Sequence, residues 1–231
     1  MTRGDGPIRM VGVALLVCFA QSCATSAGVT RSRELLLDPA NTEWSKPAPP
    51  VSRIRFETSK GSFVLEVIRE WAPLGADRFY NLARLGFYDD ARFHRVNPNY
   101  IVQFGLPGDP AVTAAWRSRQ LRDDAPRAHN QRGTFAFAQM GPNTRLTQIY
   151  INLGDNSRND AEPFTMLGRV VQGMDVVDRL YSGYGERSGS GMRQGRQGPI
   201  EQGGNAYLDR EYPLLDRLLR ACVIAPVRTC R

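Results

Sequence analysis

Two stretches set the tightest limit on how this chain can fold. Residues 93–105 read FHRVNPNYIVQFG and residues 133–153 read GTFAFAQMGPNTRLTQIYINL. Each places a turn sequence between two short apolar runs, Asn97-Pro98-Asn99 in the first and Gly141-Pro142-Asn143-Thr144 in the second, so each is expected to form paired strands. Arg95 then projects from an otherwise apolar sheet. The donors of a guanidinium fork are seldom buried without an acceptor, which makes Arg95 a candidate functional group, with a solvated strand face as the alternative.

The flanking sequence supplies more strands and a plug. Ile54 and Phe56 alternate with Arg53, Arg55 and Glu57, and Phe63, Leu65 and Val67 alternate after Ser59-Lys60-Gly61, which predicts a hairpin with one inward face. Pro73 suits a first helical turn, Phe79 and Leu82 share a face, and Gly86 stands where such a helix would stop. Residues 106–132 read as a long irregular excursion with Arg117, Arg119 and Arg122 in its middle, and a loop of that length is usually functional or mobile. Met174 to Tyr181 predicts a short amphipathic helix. Residues 182–198 hold six glycines and three arginines and read as a flexible surface loop. Leu208, Leu215, Leu219 and Cys222 recur at helical spacing after Pro213, so a helical tail is expected against the sheet.

Composition removes several functions. The formal net charge is +7, but the basic residues are scattered, with no basic helix or finger-like spacing, which argues against nucleic acid. The only histidines are His94 and His129, and none of the four cysteines forms a Cys-x-x-Cys pair, so neither a metal nor another cofactor is implied. His94 lies within a predicted strand, and no serine sits in a nucleophile-elbow motif, which argues against a hydrolase.

The first 22 residues have the layout of a secretory signal peptide: Arg3 and Arg9, then an apolar run from Met10 to Ala20 that is short for a permanent membrane span. Ala20-Gln21-Ser22-Cys23 is similar to a loose bacterial lipobox, with Cys23 as the lipidated residue, although the strong form has Leu where Ala20 stands. Thr25-Ser26-Ala27 offers ordinary cleavage as the rival. Residues 23–50 are polar and Pro-rich, and are expected to be a tether ahead of a domain spanning 51–231. With Cys18 and Cys23 removed from consideration, Cys222 and Cys230 are left, either to pair in an oxidising compartment or to remain thiols.

Taken with residues 164–178, FTMLGRVVQGMDVVD, the two hairpin stretches resemble the cyclophilin-type peptidyl-prolyl cis-trans isomerases in three ordered segments. The resemblance covers about Val51 to Asp178. It implies a mainly β fold, a closed antiparallel barrel of eight strands capped by two or more helices. It implies binding of proline-containing polypeptides; together with the N-terminal segment, the expectation is a monomer exported to a bacterial envelope or periplasm and touching membrane only through an N-terminal lipid. Arg95 matches the catalytic arginine. Tyr100, Ile101, Tyr150 and Phe164 match the slot for the proline ring; Gln103 matches the brace of Arg95; Ala138, Gln139, Met140 and Gln148 match the rest of the peptide groove. Gln139 stands for the family's usual asparagine, Met140 for a small residue, Ile149-Tyr150 for paired phenylalanines and Phe164 for a histidine. These departures leave a proline-binding scaffold with little catalysis as the competing expectation.

Overall fold

The computed structural model describes residues 33–189 and 197–224. Among the described residues nine strands form one antiparallel sheet: β1 (Val51–Thr58), β2 (Gly61–Ile68), β3 (Ala91–Arg92), β4 (Arg95–Asn97), β5 (Ile101–Phe104), β6 (Thr134–Phe137), β7 (Ile149–Asn152), β8 (Met166–Gln172) and β9 (Arg217–Ile224). Their order is β3-β9-β1-β2-β8-β6-β7-β5-β4. The β1–β2 hairpin is paired from Val51↔Ile68 to Thr58↔Gly61 around the expected turn. Its inward residues Ile54, Phe56, Phe63, Leu65 and Val67 are fully or almost fully buried.

The expected closed barrel of eight strands is corrected to an open, curled sheet of nine. The two edges, β3 and β4, are successive along the chain with only Phe93 and His94 between them, and they run on from one another. Each therefore pairs with a different neighbour, β3 with β9 and β4 with β5.

Five α-helices among the described residues accompany the sheet: α1 (Arg33–Leu37), α2 (Pro73–Arg84), α3 (Pro110–Trp116), α4 (Met174–Asp178) and α5 (Gly198–Glu211). As expected, α2 begins at Pro73 and buries Phe79 and Leu82. Phe79 stacks against Phe56, whose ring also meets Phe63, Tyr88 and Phe104 at centroid distances of 5.2 to 6.3 Å. Aromatic rings thus fill the space between sheet and helix, and offset or edge contacts of this kind add to the stabilisation from burial.

Both ends of the domain differ from expectation. The tether reading fails over 33–50, since Trp44 is buried there with its ring edge-on to Trp116 at 4.8 Å and its Nε1 donating to the Asp38 carbonyl. Asn81 of α2 donates to the Trp44 and Lys46 carbonyls, and the α3 end of the excursion is held through Trp116 Nε1 to the Leu36 carbonyl. Trp44→Ala is therefore expected to lower unfolding stability by about 3 kcal/mol in chemical denaturation. A loss below about 0.5 kcal/mol, the range of ordinary surface substitutions, would show this segment to be a loose strap.

The expected helical tail is corrected to α5 followed by a strand. Pro213 lies after α5, and β9 pairs with β1 from Arg53↔Ile224 to Thr58↔Leu218. It covers a β1 edge that would otherwise present unpaired backbone groups. Inside α5 the chain kinks at Gly204, φ 55° and ψ −144°, where a Cβ would stand 2.1 Å from the Gly108 carbonyl oxygen, so only glycine fits. Cys222 is buried on β9, while Cys230 and Cys23, with the rest of residues 1–32, lie outside the described residues.

Candidate active site

The 95–105 hairpin aligns two polar side chains on one face. Asn97-Pro98-Asn99-Tyr100 makes the turn, with Asn99 in the left-handed region at φ 61°, and the register sets Arg95 opposite Gln103 and Gln103 opposite Tyr150. Residues directly across a ladder lie close enough for their side chains to meet. Arg95 Nη1 donates to Gln103 Oε1 at 3.1 Å, Gln103 Nε2 to Gln148 Oε1 at 2.8 Å, and Gln148 Nε2 to Gln197 Oε1 at 2.8 Å.

Arg95 is only 8% exposed, and its other edge is taken by a carboxylate. Nε donates to Glu186 Oε2 and Nη2 to Glu186 Oε1, both at 2.7 Å, while Asn97 Nδ2 donates to the same Oε1 at 3.1 Å. A guanidinium has five N–H donors, so one on Nη1 and one on Nη2 have no acceptor among the described residues. The Tyr100 ring lies 5.7 Å from the Arg95 guanidinium carbon, and Arg158 lies 5.3 Å from the same ring.

Arg95 forms part of the wall of a groove of about 1020 Å³. Of the residues singled out from sequence, Tyr100, Gln139, Met140 and Phe164 also line it. Ile101, Tyr150 and Ala138 belong to a compact apolar cluster with Tyr100, Phe164, Ala136 and Met166. Phe164 meets Tyr150 edge-on at 5.4 Å. The Tyr150 hydroxyl donates to Asn130 Oδ1 at 2.7 Å, and burial holds its pKa well above the usual phenol value, so it stays a neutral donor. Gln139 donates to the Pro163 carbonyl, which leaves its buried Oε1 without a hydrogen-bond partner, while Met140 is 83% exposed at the rim. Gln103 and Gln148 stand behind Arg95 in the hydrogen-bonded chain and are not part of the groove wall.

Glu186, Asn97, Arg158 and Glu162 also line the groove, and none was singled out from sequence. No local spacing links Glu186 to Arg95, because the carboxylate arrives on the glycine-rich segment far downstream. No group of three or more His, Cys, Asp or Glu among the described residues could hold a metal ion.

His94, beside Arg95 in sequence, is fully buried with both ring nitrogens lacking a hydrogen-bond partner. Burial, reinforced by the Arg95 cation, lowers its pKa to about 4. The unfolded chain takes up this proton near the ordinary value of 6.5, so the folded state binds fewer protons in between. Stability is then retained above pH 6.5 and lost as pH falls toward 4, by on the order of 3 kcal/mol for this group. Urea unfolding of the parent and of His94→Gln from pH 7.5 to 4 should show the parent's relative advantage shrinking on acidification; parallel curves would contradict it.

Comparison with known proteins agrees with the geometry. The family described as cyclophilin type peptidyl-prolyl cis-trans isomerase/CLD matches residues 53–198, more than half of the chain. This chain belongs to the cyclophilins. A cyclophilin relative, peptidyl-prolyl cis-trans isomerase ppi1 of Schizosaccharomyces pombe, is 32% identical over 135 residues, covering 56% of this chain and 85% of the relative. Peptidyl-prolyl cis-trans isomerase-like 1 of Emericella nidulans is 33% identical over 132 residues, covering 55% and 80%. A cyclophilin-type isomerase of Cryptosporidium parvum superposes at a TM-score of 0.56, covering 77% of this chain and 99% of its own. Its identity of 17% speaks for the cyclophilin fold alone. These sequence relatives are fungal, so the expectation of a bacterial source has no support from them and rests on the N-terminal segment.

Proposed function

We propose that this cyclophilin is a peptidyl-prolyl cis-trans isomerase acting on Xaa-Pro bonds, with Arg95 as its catalytic donor. The observation that carries this reading is the partly satisfied guanidinium of Arg95, braced from behind by Gln103, at the wall of a groove beside the Tyr100–Phe164 apolar cluster. A structure of the related Cryptosporidium parvum protein was determined in the presence of the dipeptide Ala-Pro, which supports a proline-containing ligand here as well.

The chemistry needs no nucleophile. Rotation about a peptide bond costs about 18–20 kcal/mol because the nitrogen lone pair is shared with the carbonyl. In the twisted state the lone pair returns to the prolyl nitrogen, and a fixed N–H aimed at it stabilises that state over both planar ones. The guanidinium remains protonated at any working pH, so the donor does not titrate away. Tyr100, Ile101, Tyr150 and Phe164 would seat the proline ring, and Gln139 and Met140 at the groove wall would flank the rest of the peptide.

A protease-coupled assay on tetrapeptides that vary the residue before proline tests this function. Acceleration by catalytic amounts of the purified chain supports it; peptide binding without acceleration would make the chain a scaffold. We further propose export, with Cys23 as a lipid anchor, on the strength of the charged start, the apolar run and the small Ser22 before Cys23. Mass spectrometry of membrane-extracted protein would show an acylated Cys23 at the N-terminus; an unmodified N-terminus at Gly28 would refute the anchor.

A further inference from the structure

The segment from Ser182 to Gly189, read from sequence as part of a flexible surface loop, is packed onto the strand that carries Arg95. Ser188 is buried and its hydroxyl donates to the His94 carbonyl at 2.8 Å. A Cβ on Gly189 would stand 2.4 Å from the His94 carbonyl oxygen and 2.9 Å from Arg95 Cβ, so the backbones touch there. The other side is held by aromatic rings. Tyr184 lies edge-on between Tyr181 and Tyr212, both at 5.1 Å, and joins the apolar cluster of Leu106, Ile200, Leu208 and Leu215. The Tyr212 hydroxyl donates to the Arg187 carbonyl at 2.9 Å.

Glu186 is therefore delivered to Arg95 by a fixed segment. Its carboxylate takes the Nε–Nη2 edge, Gln103 takes part of Nη1, and one N–H on each of Nη1 and Nη2 is left. Bidentate pairing of this kind fixes the plane of a guanidinium as well as its position. Gln197, on the far side of the same tail, closes the chain of amides behind Gln103 through Gln148.

We propose that Glu186 is a positioning residue for Arg95, so that the catalytic arginine is held jointly by the sheet and the C-terminal segment. The inference rests on the isomerase reading and adds to it the group that orients the donor. A donor locked before substrate arrives avoids reorientation in the transition state, and its loss affects turnover more than binding.

The test is steady-state isomerase kinetics on the purified chain, with thermal melts to establish folding. Glu186→Ala is expected to lower kcat about tenfold with KM within about twofold, and Glu186→Asp to recover part of the loss. In an Arg95→Ala background the same change should have no further effect, which a merely structural role would not give. Should Glu186→Ala unfold, the isosteric Glu186→Gln carries the test, with a smaller fall in kcat and unchanged KM. Variants as fast as the parent, or faster, would show the carboxylate to be a bystander or a competitor for the arginine. A rise in KM at constant kcat would make it a substrate contact instead. If Arg95→Ala loses activity and the Glu186 variants do not, only this inference fails; a parent without activity removes the isomerase reading and this inference together.

Discussion

Arg95→Ala is expected to reduce kcat/KM for prolyl isomerisation by one to three orders of magnitude while leaving the fold intact. The range corresponds to about 1.4 to 4 kcal/mol of lost transition-state stabilisation. It is large because the apolar cluster can hold a proline ring in either isomer equally well, and uniform binding does not speed rotation. The fold should survive because the Glu186 carboxylate left behind is 35% exposed and can be hydrated, and because the β4–β5 pairing is made by backbone. Arg95→Lys should recover little, since an ammonium cannot reproduce the planar fork shared among Glu186, Gln103 and substrate. The protease-coupled assay on parent and variant checks this; equal rates would exclude Arg95 as the donor.

The second large effect is on stability. Arg145→Ala is expected to destabilise the protein by about 4 kcal/mol, because it removes one partner of a buried ion pair. Arg145 is 0% exposed, and Nη1 and Nη2 both donate to Asp124 Oδ2 at 3.1 Å, with Nη2 also donating to the Arg122 carbonyl. Asp124 in turn caps α2, accepting from the Leu74 and Gly75 amides at 2.9 Å each. Asp123 and Asn143 exchange backbone-to-side-chain bonds beside it, so the same cluster ties the excursion to the 141–144 turn behind Gln139 and Met140. Arg179→Ala, which breaks an exposed pair with Asp175, should cost less than about 0.5 kcal/mol and serves as the control. Urea unfolding separates the two outcomes; a similar small loss in both variants would show that the buried cluster is dispensable.

What could be read from sequence was what local spacing encodes. The β1–β2 hairpin, α2 and the Arg95–Gln103 juxtaposition all arise within one turn or one short hairpin, so alternation and turn residues suffice. What escaped were features whose partners lie far along the chain. Leu215, Leu219 and Cys222 happen to fall at helical intervals, but the unpaired edge of β1 draws this segment into a strand. Trp44 stood in a polar, Pro-rich stretch and gave no sign of Trp116. The burial of Arg145 could not be read locally, because nothing in its own stretch shows that Asp123 and Asp124 fold back upon it. Glu186 was hidden among glycines whose composition suggests flexibility, whereas Gly189 is small because the His94 backbone leaves no room.

The most direct measurement is two-dimensional exchange NMR on a proline-containing peptide with the protein at substoichiometric concentration. It observes rotation at equilibrium without a coupling protease. Uncatalysed exchange takes on the order of tens to hundreds of seconds. An isomerase brings cis and trans signals into exchange within the mixing time, and the Arg95→Ala chain does not. Peptide signals that shift on addition of the folded parent yet show no exchange would contradict catalysis and leave a cyclophilin that binds proline without turning it.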